Sequence, residues 1–322
     1  MTLPLFRRFP RLASIPHVSL GAFPSPVVCT TVAQGSPLWI KRDDRNATRA
    51  AGNKLRALEF LLAETRPGDT VVTAGGEGST HVLVTATLAA ERGAKTVAIR
   101  WPHDMNEVAD RVSARICGSC RLVAAGGPLR ATLRGLVMQR SGALWIPIGG
   151  TSLLGMLGHV NAGLELAEQV ARGELPEPAR LVVAVGSGGT AAGLTLGLAI
   201  AGLRTVVVGA RTAPLTIANR WRLLRLVRRA RLFLAARAAE EVPVVATERL
   251  QIVHDVFGGA YGRRLPAARC APADSVERGD MVVDPTYTEK ALVAAVSIAQ
   301  RFEGPTLYWH TFDGRLLGER AA

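Results

Sequence analysis

The sequence predicts an α/β fold built on mostly parallel strands, and three observations carry that expectation. Short apolar, strand-like runs alternate with longer segments of helical period. Two glycine-rich turns, at 75–78 and 186–189, each lie between such a strand and a helix. No repeat of solenoid period and no Pro- or Ser-rich linker divides the 322 residues.

The elements follow in order. Residues 38–40 read as a strand, and 55–64 as a helix with Leu58, Leu61 and Leu62 inward. Residues 71–74 form the next strand, ending at Gly75-Gly76, and 81–92 the next helix. Strand, helix and strand then occupy 96–99, 106–116 and 121–123. Residues 145–150 lead into a helix around 159–170. The run 181–185 opens the main sheet, and 205–208 follows it. This order places a small α/β subdomain, 57–155, within a larger domain made of 1–56 and 156–322.

Composition bounds the function. A hydrophobic share of 48% argues for a folded core and against disorder. Four cysteines (Cys29, Cys117, Cys120, Cys270) are too few for a disulfide framework at this length. Cys117-Gly118-Ser119-Cys120 has redox or half-zinc spacing, but no second Cys/His pair completes a zinc site. Reduced thiols in a turn, and no metal, are expected. The N-terminus lacks an apolar stretch of signal-peptide length. Residues 181–203 carry no charge, yet Gly186-Ser187-Gly188-Gly189-Thr190 makes a poor lipid-facing helix. A cytoplasmic protein without a membrane partner is expected.

The net charge is +13, and only four of the 39 basic residues are lysine. Residues 220–237 are arginine-rich with no acidic residue, and Trp221, Leu224, Val227 and Leu232 can share one helical face. Nucleic acid or an anionic membrane would suit such a helix, and so would plain solvent. Basic charge alone selects no partner, and nucleic acid is not expected to be one.

Three clusters carry chemistry. Lys54 follows a Gly52-Asn53 turn, in a chain that otherwise writes its positive charge almost wholly as arginine. An amine can form a Schiff base and a guanidinium cannot; an ordinary surface lysine opening a helix is the alternative. Gly186-Ser187-Gly188-Gly189-Thr190 follows a strand and opens a helix. Such a turn aims backbone N–H groups and a helix N-terminus of roughly half a positive charge at one anion. No Walker lysine follows. A dinucleotide-type turn ending in Ala191, or close helix–sheet packing without a ligand, stays open.

The second turn, Gly75-Gly76-Glu77-Gly78-Ser79-Thr80-His81, suits a small carboxylate, or Ser79 or Thr80 is a plain N-cap. Downstream, Tyr261 and Tyr287 are proton carriers or buried phenols, and Thr288 adjoins the second of them.

Together these pieces resemble one family, the fold-type II pyridoxal-phosphate enzymes of the D-cysteine desulfhydrase and 1-aminocyclopropane-1-carboxylate deaminase group. The likeness runs from Ile15-Pro16-His17 to Tyr287-Thr288-Glu289-Lys290-Ala291. It includes Trp39-Ile40-Lys41-Arg42-Asp43-Asp44, Gly52-Asn53-Lys54-Leu55-Arg56, Ile148-Gly149-Gly150 and Gly186-Ser187-Gly188-Gly189-Thr190. It implies a tryptophan synthase β-like architecture of two open, twisted, mostly parallel sheets flanked by helices, in a homodimer.

The resemblance also assigns residues. Lys54 is similar to the lysine that holds pyridoxal 5'-phosphate through its amine, with Asn53 beside it. Gly186, Ser187, Gly188, Gly189 and Thr190 look like the phosphate cup. Ser79, Thr80 and His81 look like the loop that holds the substrate carboxylate, with Thr80 also at the cofactor. Tyr261 and Tyr287 look like the active-site tyrosines, with Tyr287 or Ser79 as accessory acid or base.

Thr288 looks like the residue facing the pyridine nitrogen, where the deaminase branch has Glu. An uncharged partner favours pyridinium less, which suits β-elimination of a thiol from D-cysteine or a β-substituted alanine, giving a 2-oxo acid and ammonia. If 284–291 is extended, Glu289 points the other way. His81, where the deaminase branch usually has Gln, leans toward elimination as well. Ring opening of the cyclopropane amino acid, and a diverged protein that binds without catalysis, are the other readings.

The chain also departs from the family pattern. Gly78-Ser79-Thr80-His81 replaces Gln-Ser-Asn-His, and His310-Thr311-Phe312-Asp313-Gly314 replaces His-Thr-Gly-Gly. The stretch 220–237 matches no family segment. These changes leave the substrate open.

Overall fold

Strands that are apolar on both sides need helices on both sides, and here they have them. The computed structural model describes residues 2–318, apart from 33–35, 48, 49 and 275. In chain order the elements are α1 (Pro4–Arg8), β1 (Val27–Thr31), β2 (Pro37–Arg42), α2 (Lys54–Leu61), β3 (Thr70–Gly76), α3 (Thr80–Glu91) and β4 (Lys95–Trp101). Then come α4 (Glu107–Cys117), β5 (Arg121–Ala124), α5 (Pro128–Arg140), β6 (Leu144–Ile146), α6 (Leu153–Ala171), β7 (Arg180–Val185), α7 (Gly189–Ile200) and β8 (Val206–Arg211). The last are α8 (Arg220–Ala238), β9 (Leu250–Val253), α9 (Ala267–Asp274), α10 (Thr288–Arg301) and β10 (Thr306–His310).

The strands form two sheets. One has six strands in the order β1-β2-β10-β7-β8-β9, and the other has four in the order β5-β4-β3-β6. Every neighbouring pair is parallel except β1 with β2.

Side-chain alternation sorts the apolar residues into cores on the two faces of each sheet. In β7, Leu181, Val183 and Val185 join the core made with α6, α7 and α8, while Val182 joins the one made with α9 and α10. In β10, Trp309 and Tyr308 divide the same way. In the smaller sheet Val71 packs with α2, α3 and α4, whereas Val72 and Ala74 pack toward Ala131 of α5.

The uncharged run 181–203 resolves into β7, the glycine loop and α7. Among the described residues no helix is long and apolar enough to cross a membrane. The positions 56/57 and 155/156, where the sequence suggested the chain passes between domains, lie inside α2 and α6. The two helices pack on each other.

Two helices differ from expectation. Helix α8 buries Leu223, Val227, Ala230, Leu234 and Ala238, while Trp221 and Leu232 are exposed. The inward stripe follows a spacing of three or four residues through small and aliphatic side chains, and Trp221 falls off it. Residues 288–291 are not extended but begin α10, so Glu289 turns away from Thr288 by helical rotation rather than strand alternation.

Candidate active site

The C-terminal ends of β3, β7 and β10 open onto one cavity of about 420 Å³. Parallel strands followed by helices put helix N-termini at that edge, and the starts of α2, α3 and α7 all line the cavity. Their partial positive charges converge on the same space. That is a place for an anionic ligand.

Lys54 is the first residue of α2, and its Nζ donates to Asn53 Oδ1 at 2.8 Å. Nζ lies 6.0 Å from the centre of the Tyr287 ring. Burial lowers its pKa from 10.5 to about 8, against the raising influence of Asp284 and Asp43. The turn before it requires glycine. Gly52 has φ +60°, and a Cβ there would lie 2.3 Å from the Thr311 carbonyl oxygen, to which Asn53 N also donates.

Behind Lys54, a buried ionic cluster fixes α2. Arg56 donates to Asp43 at 2.7 and 2.9 Å and to Glu165 at 2.8 and 3.1 Å. Lys41 donates to Glu165 at 2.6 Å and to Gln169, and Trp309 Nε1 donates to Asp43 at 2.8 Å. Two cations meet two carboxylates, so the cluster is neutral. It joins α2 to β2, α6 and β10.

The glycine loop lies across the cavity. Gly188 has φ +94° and is the N-cap of α7, with no side chain capping the helix. The first-turn N–H groups therefore have neither intrahelical partners nor a cap. Hydroxyls surround them: Thr151 Oγ1 donates to Ser187 Oγ at 2.7 Å, and Asn53 Nδ2 donates to Thr190 Oγ1 at 3.0 Å. The Arg222 side chain closes this end, donating to the Ser187 carbonyl at 2.7 Å.

On the other side, Ser79 is the N-cap of α3, but its hydroxyl makes no capping bond. Among the described residues that hydroxyl has no partner, and Ser79 stands in the cavity wall with Thr80 and His81. His81 Nε2 lies 3.0 Å from Thr73 Oγ1, and burial lowers its pKa to about 3, so the imidazole is neutral.

The phenolic oxygens of Tyr261 and Tyr287 are 2.5 Å apart. Burial raises the Tyr261 pKa to about 12 and pushes Tyr287 well above its usual value, so both are protonated at neutral pH.

The structure brings together Asn53, Lys54, Ser79, Thr80, His81, Gly186, Ser187, Gly188, Thr190, Tyr261 and Tyr287 around one cavity. Two residues stand apart. Gly189 begins α7 with a Cβ position 2.7 Å from Thr151 Oγ1, behind the wall. Thr288 does not line the cavity: it is fully buried, its hydroxyl bonded to Asp284 Oδ1 at 2.7 Å. The expectation that Thr288 faces a ring nitrogen is thereby corrected, because helix α10 turns its side chain back onto Asp284. Asp284 is the carboxylate that reaches the cavity, held by the N–H groups of Thr286, Tyr287 and Thr288.

Sequence reasoning missed Asp284, Thr151, His103, Thr311 and Arg222 as lining residues. Asp284 and Thr151 adjoin recognised motifs, which was the available signal. Arg222 had none among so many arginines.

A buried amine of lowered pKa, an uncapped glycine loop and free hydroxyls fit a cofactor that joins an aldehyde to a phosphate. The site defines an enzyme that works through a lysine-bound aldehyde cofactor. The chain belongs to the pyridoxal-phosphate dependent enzyme family, whose description matches residues 18–311. It is similar to D-cysteine desulfhydrase of Salmonella choleraesuis (strain SC-B67), 32% identical over 97% of this chain and 96% of that one. The enzyme of the same name from Salmonella paratyphi C (strain RKS4594) is 31% identical over the same shares. Among solved structures, an ACC deaminase homologue aligns with TM-score 0.75 and 26% identity over 97% of this chain and 95% of that one. A threonine deaminase from T.th., at TM-score 0.59 and 19% identity over 97% of both chains, shares the fold. The protein is thus a fold-type II, pyridoxal-phosphate-dependent enzyme of the lyase and deaminase kind.

Proposed function

We propose that this chain removes the β-substituent of a small amino acid, with D-cysteine the first substrate to test, giving a 2-oxo acid, ammonia and sulfide with uptake of one water. The observation that carries the reading is the Lys54 amine, set between the uncapped glycine loop on one side and the free Ser79 hydroxyl on the other. Identity with D-cysteine desulfhydrases over almost the whole chain supports the thiol as leaving group.

When bound, the cofactor supplies an electron sink for the charge left at Cα. Lys54 would hold it through Nζ, and Gly186, Ser187, Gly188 and Thr190, which line the cavity, would hold its phosphate. Asn53 orients Nζ, and Ser79 and Thr80 take the substrate carboxylate at the start of α3. The freed Lys54 amine takes the α-proton, and its lowered pKa makes the free amine available from about pH 8 upward. Tyr287, kept protonated by burial, donates a proton to the departing sulfur, and Tyr261 bonds to its oxygen and keeps it in place. Thr288 acts through Asp284 and not by touching the ring.

The test is 2-oxo acid release from D-cysteine, β-chloro-D-alanine and 1-aminocyclopropane-1-carboxylate, with L-cysteine as control. Release from the first two alone supports elimination; release from the cyclopropane amino acid alone overturns it. A visible cofactor band unmoved by any of these would indicate a binding protein.

We propose further that the enzyme is a cytoplasmic homodimer. Unpaired, exposed Cys29 and Cys117 suit a reducing compartment. A one-chain mass in sedimentation would overturn the dimer.

A further inference from the structure

Most arginines of α8 point to solvent, but Arg222 turns inward and lines the cavity. Its Nη1 donates to two carbonyl oxygens, Ser187 at 2.7 Å and Ile217 at 2.9 Å. Those bonds use both Nη1 hydrogens and fix the guanidinium plane at the end of the glycine loop. Helix α8 also packs on that loop, where the Leu223 side chain comes within 2.9 Å of a Cβ position on Gly188.

The rest of the guanidinium is unmatched. Among the described residues the side chain's hydrogen bonds both run from Nη1, neither Nε nor Nη2 has an acceptor, and no carboxylate acts on it. Burial lowers the pKa of Arg222 with no neighbouring charge to oppose it. A partly buried cation without an anion is costly. Arg56, by contrast, is paired with both Asp43 and Glu165.

We infer that Arg222 is a phosphate-binding residue, whose Nε and Nη2 hold the cofactor phosphate as a dianion beside the loop of Gly186, Ser187 and Gly188. The inference rests on the reading of that loop as the phosphate cup. It gives the arginine-rich helix a part in the site: one arginine is a ligand, and most of the others face solvent. A guanidinium presents two parallel donors to a phosphate, and its charge favours loss of the second phosphate proton, which ordinarily leaves near pH 6.

Binding of pyridoxal 5'-phosphate and of pyridoxal to the apoenzyme tests this. The wild type should bind the phosphorylated form far more tightly. Arg222→Gln should weaken pyridoxal 5'-phosphate by roughly 10- to 100-fold and leave pyridoxal unchanged, with Arg222→Lys intermediate. Equal loss for both ligands, or none for either, would overturn the role of Arg222, marking a residue that only shapes the loop. If the wild type itself fails to discriminate, the cup reading fails instead. Phosphorus NMR gives a second readout. The bound phosphate should stay dianionic through pH 6 in the wild type and titrate in Arg222→Gln; an unchanged titration counts against the proposal.

Discussion

Lys54 Nζ donates to Asn53 Oδ1 at 2.8 Å, and the amide of the same Asn53 donates to Thr190 Oγ1 at 3.0 Å. One asparagine therefore sets the distance between the amine and the glycine loop. A molecule bound at both ends must match that span.

Removing the amine tests its role most directly. Lys54→Ala should lose turnover by on the order of 10³-fold or more and lose the borohydride-reducible attachment of the cofactor. Mass spectrometry after reduction checks this, and an adduct that survives in Lys54→Ala would place the attachment elsewhere.

The amine also sets a pH dependence. Below a pH of about 8 it is protonated and cannot attack an aldehyde, so capture of pyridoxal 5'-phosphate by the apoenzyme should rise through that pH and not through 10.5. The charge of Asp284 raises the Lys54 pKa, so Asp284→Asn should move the midpoint lower. Stopped-flow absorbance across pH reads both, and a midpoint that stays put in Asp284→Asn contradicts the electrostatic account.

The tyrosine pair should divide unequally. Tyr287, whose ring is 6.0 Å from Nζ, should lose kcat by roughly 10²–10⁴-fold as Tyr287→Phe. Tyr261→Phe should cost less, since its hydroxyl bonds Tyr287. Steady-state kinetics with D-cysteine compares them; the reverse order would exchange the two roles.

Stability should depend on the ionic cluster under Lys54. Arg56→Ala leaves Asp43 and Glu165 without their shared buried cation, and should cost about 3–5 kcal/mol. Denaturant unfolding at neutral pH measures it, and a loss under 1 kcal/mol would mean that Lys41 and Trp309 satisfy the carboxylates alone.

Much of the fold was legible because its signals are local. Apolar runs such as 71–74 and 181–185, each followed by glycine, mark strands turning into helices whatever packs on them. Elements whose character comes from their neighbours were harder to read. Strand β10 is fully buried, and its five residues lack the alternation that marks a half-exposed strand. Helix α5 exposes Leu129, Leu133 and Val137, so its pattern points away from its own core.

The sequence by itself marked Lys54, the glycine loop and the tyrosines as motifs, and their resemblance to a family gave each an expected role. Only the tertiary structure decided which side chains share the cavity. Helical rotation at the start of α10 took Thr288 out and left Asp284 in, and the packing of α8 on the Gly188 loop selected Arg222 among many arginines. Those choices depend on how distant segments meet, and spacing along the chain carries no record of that.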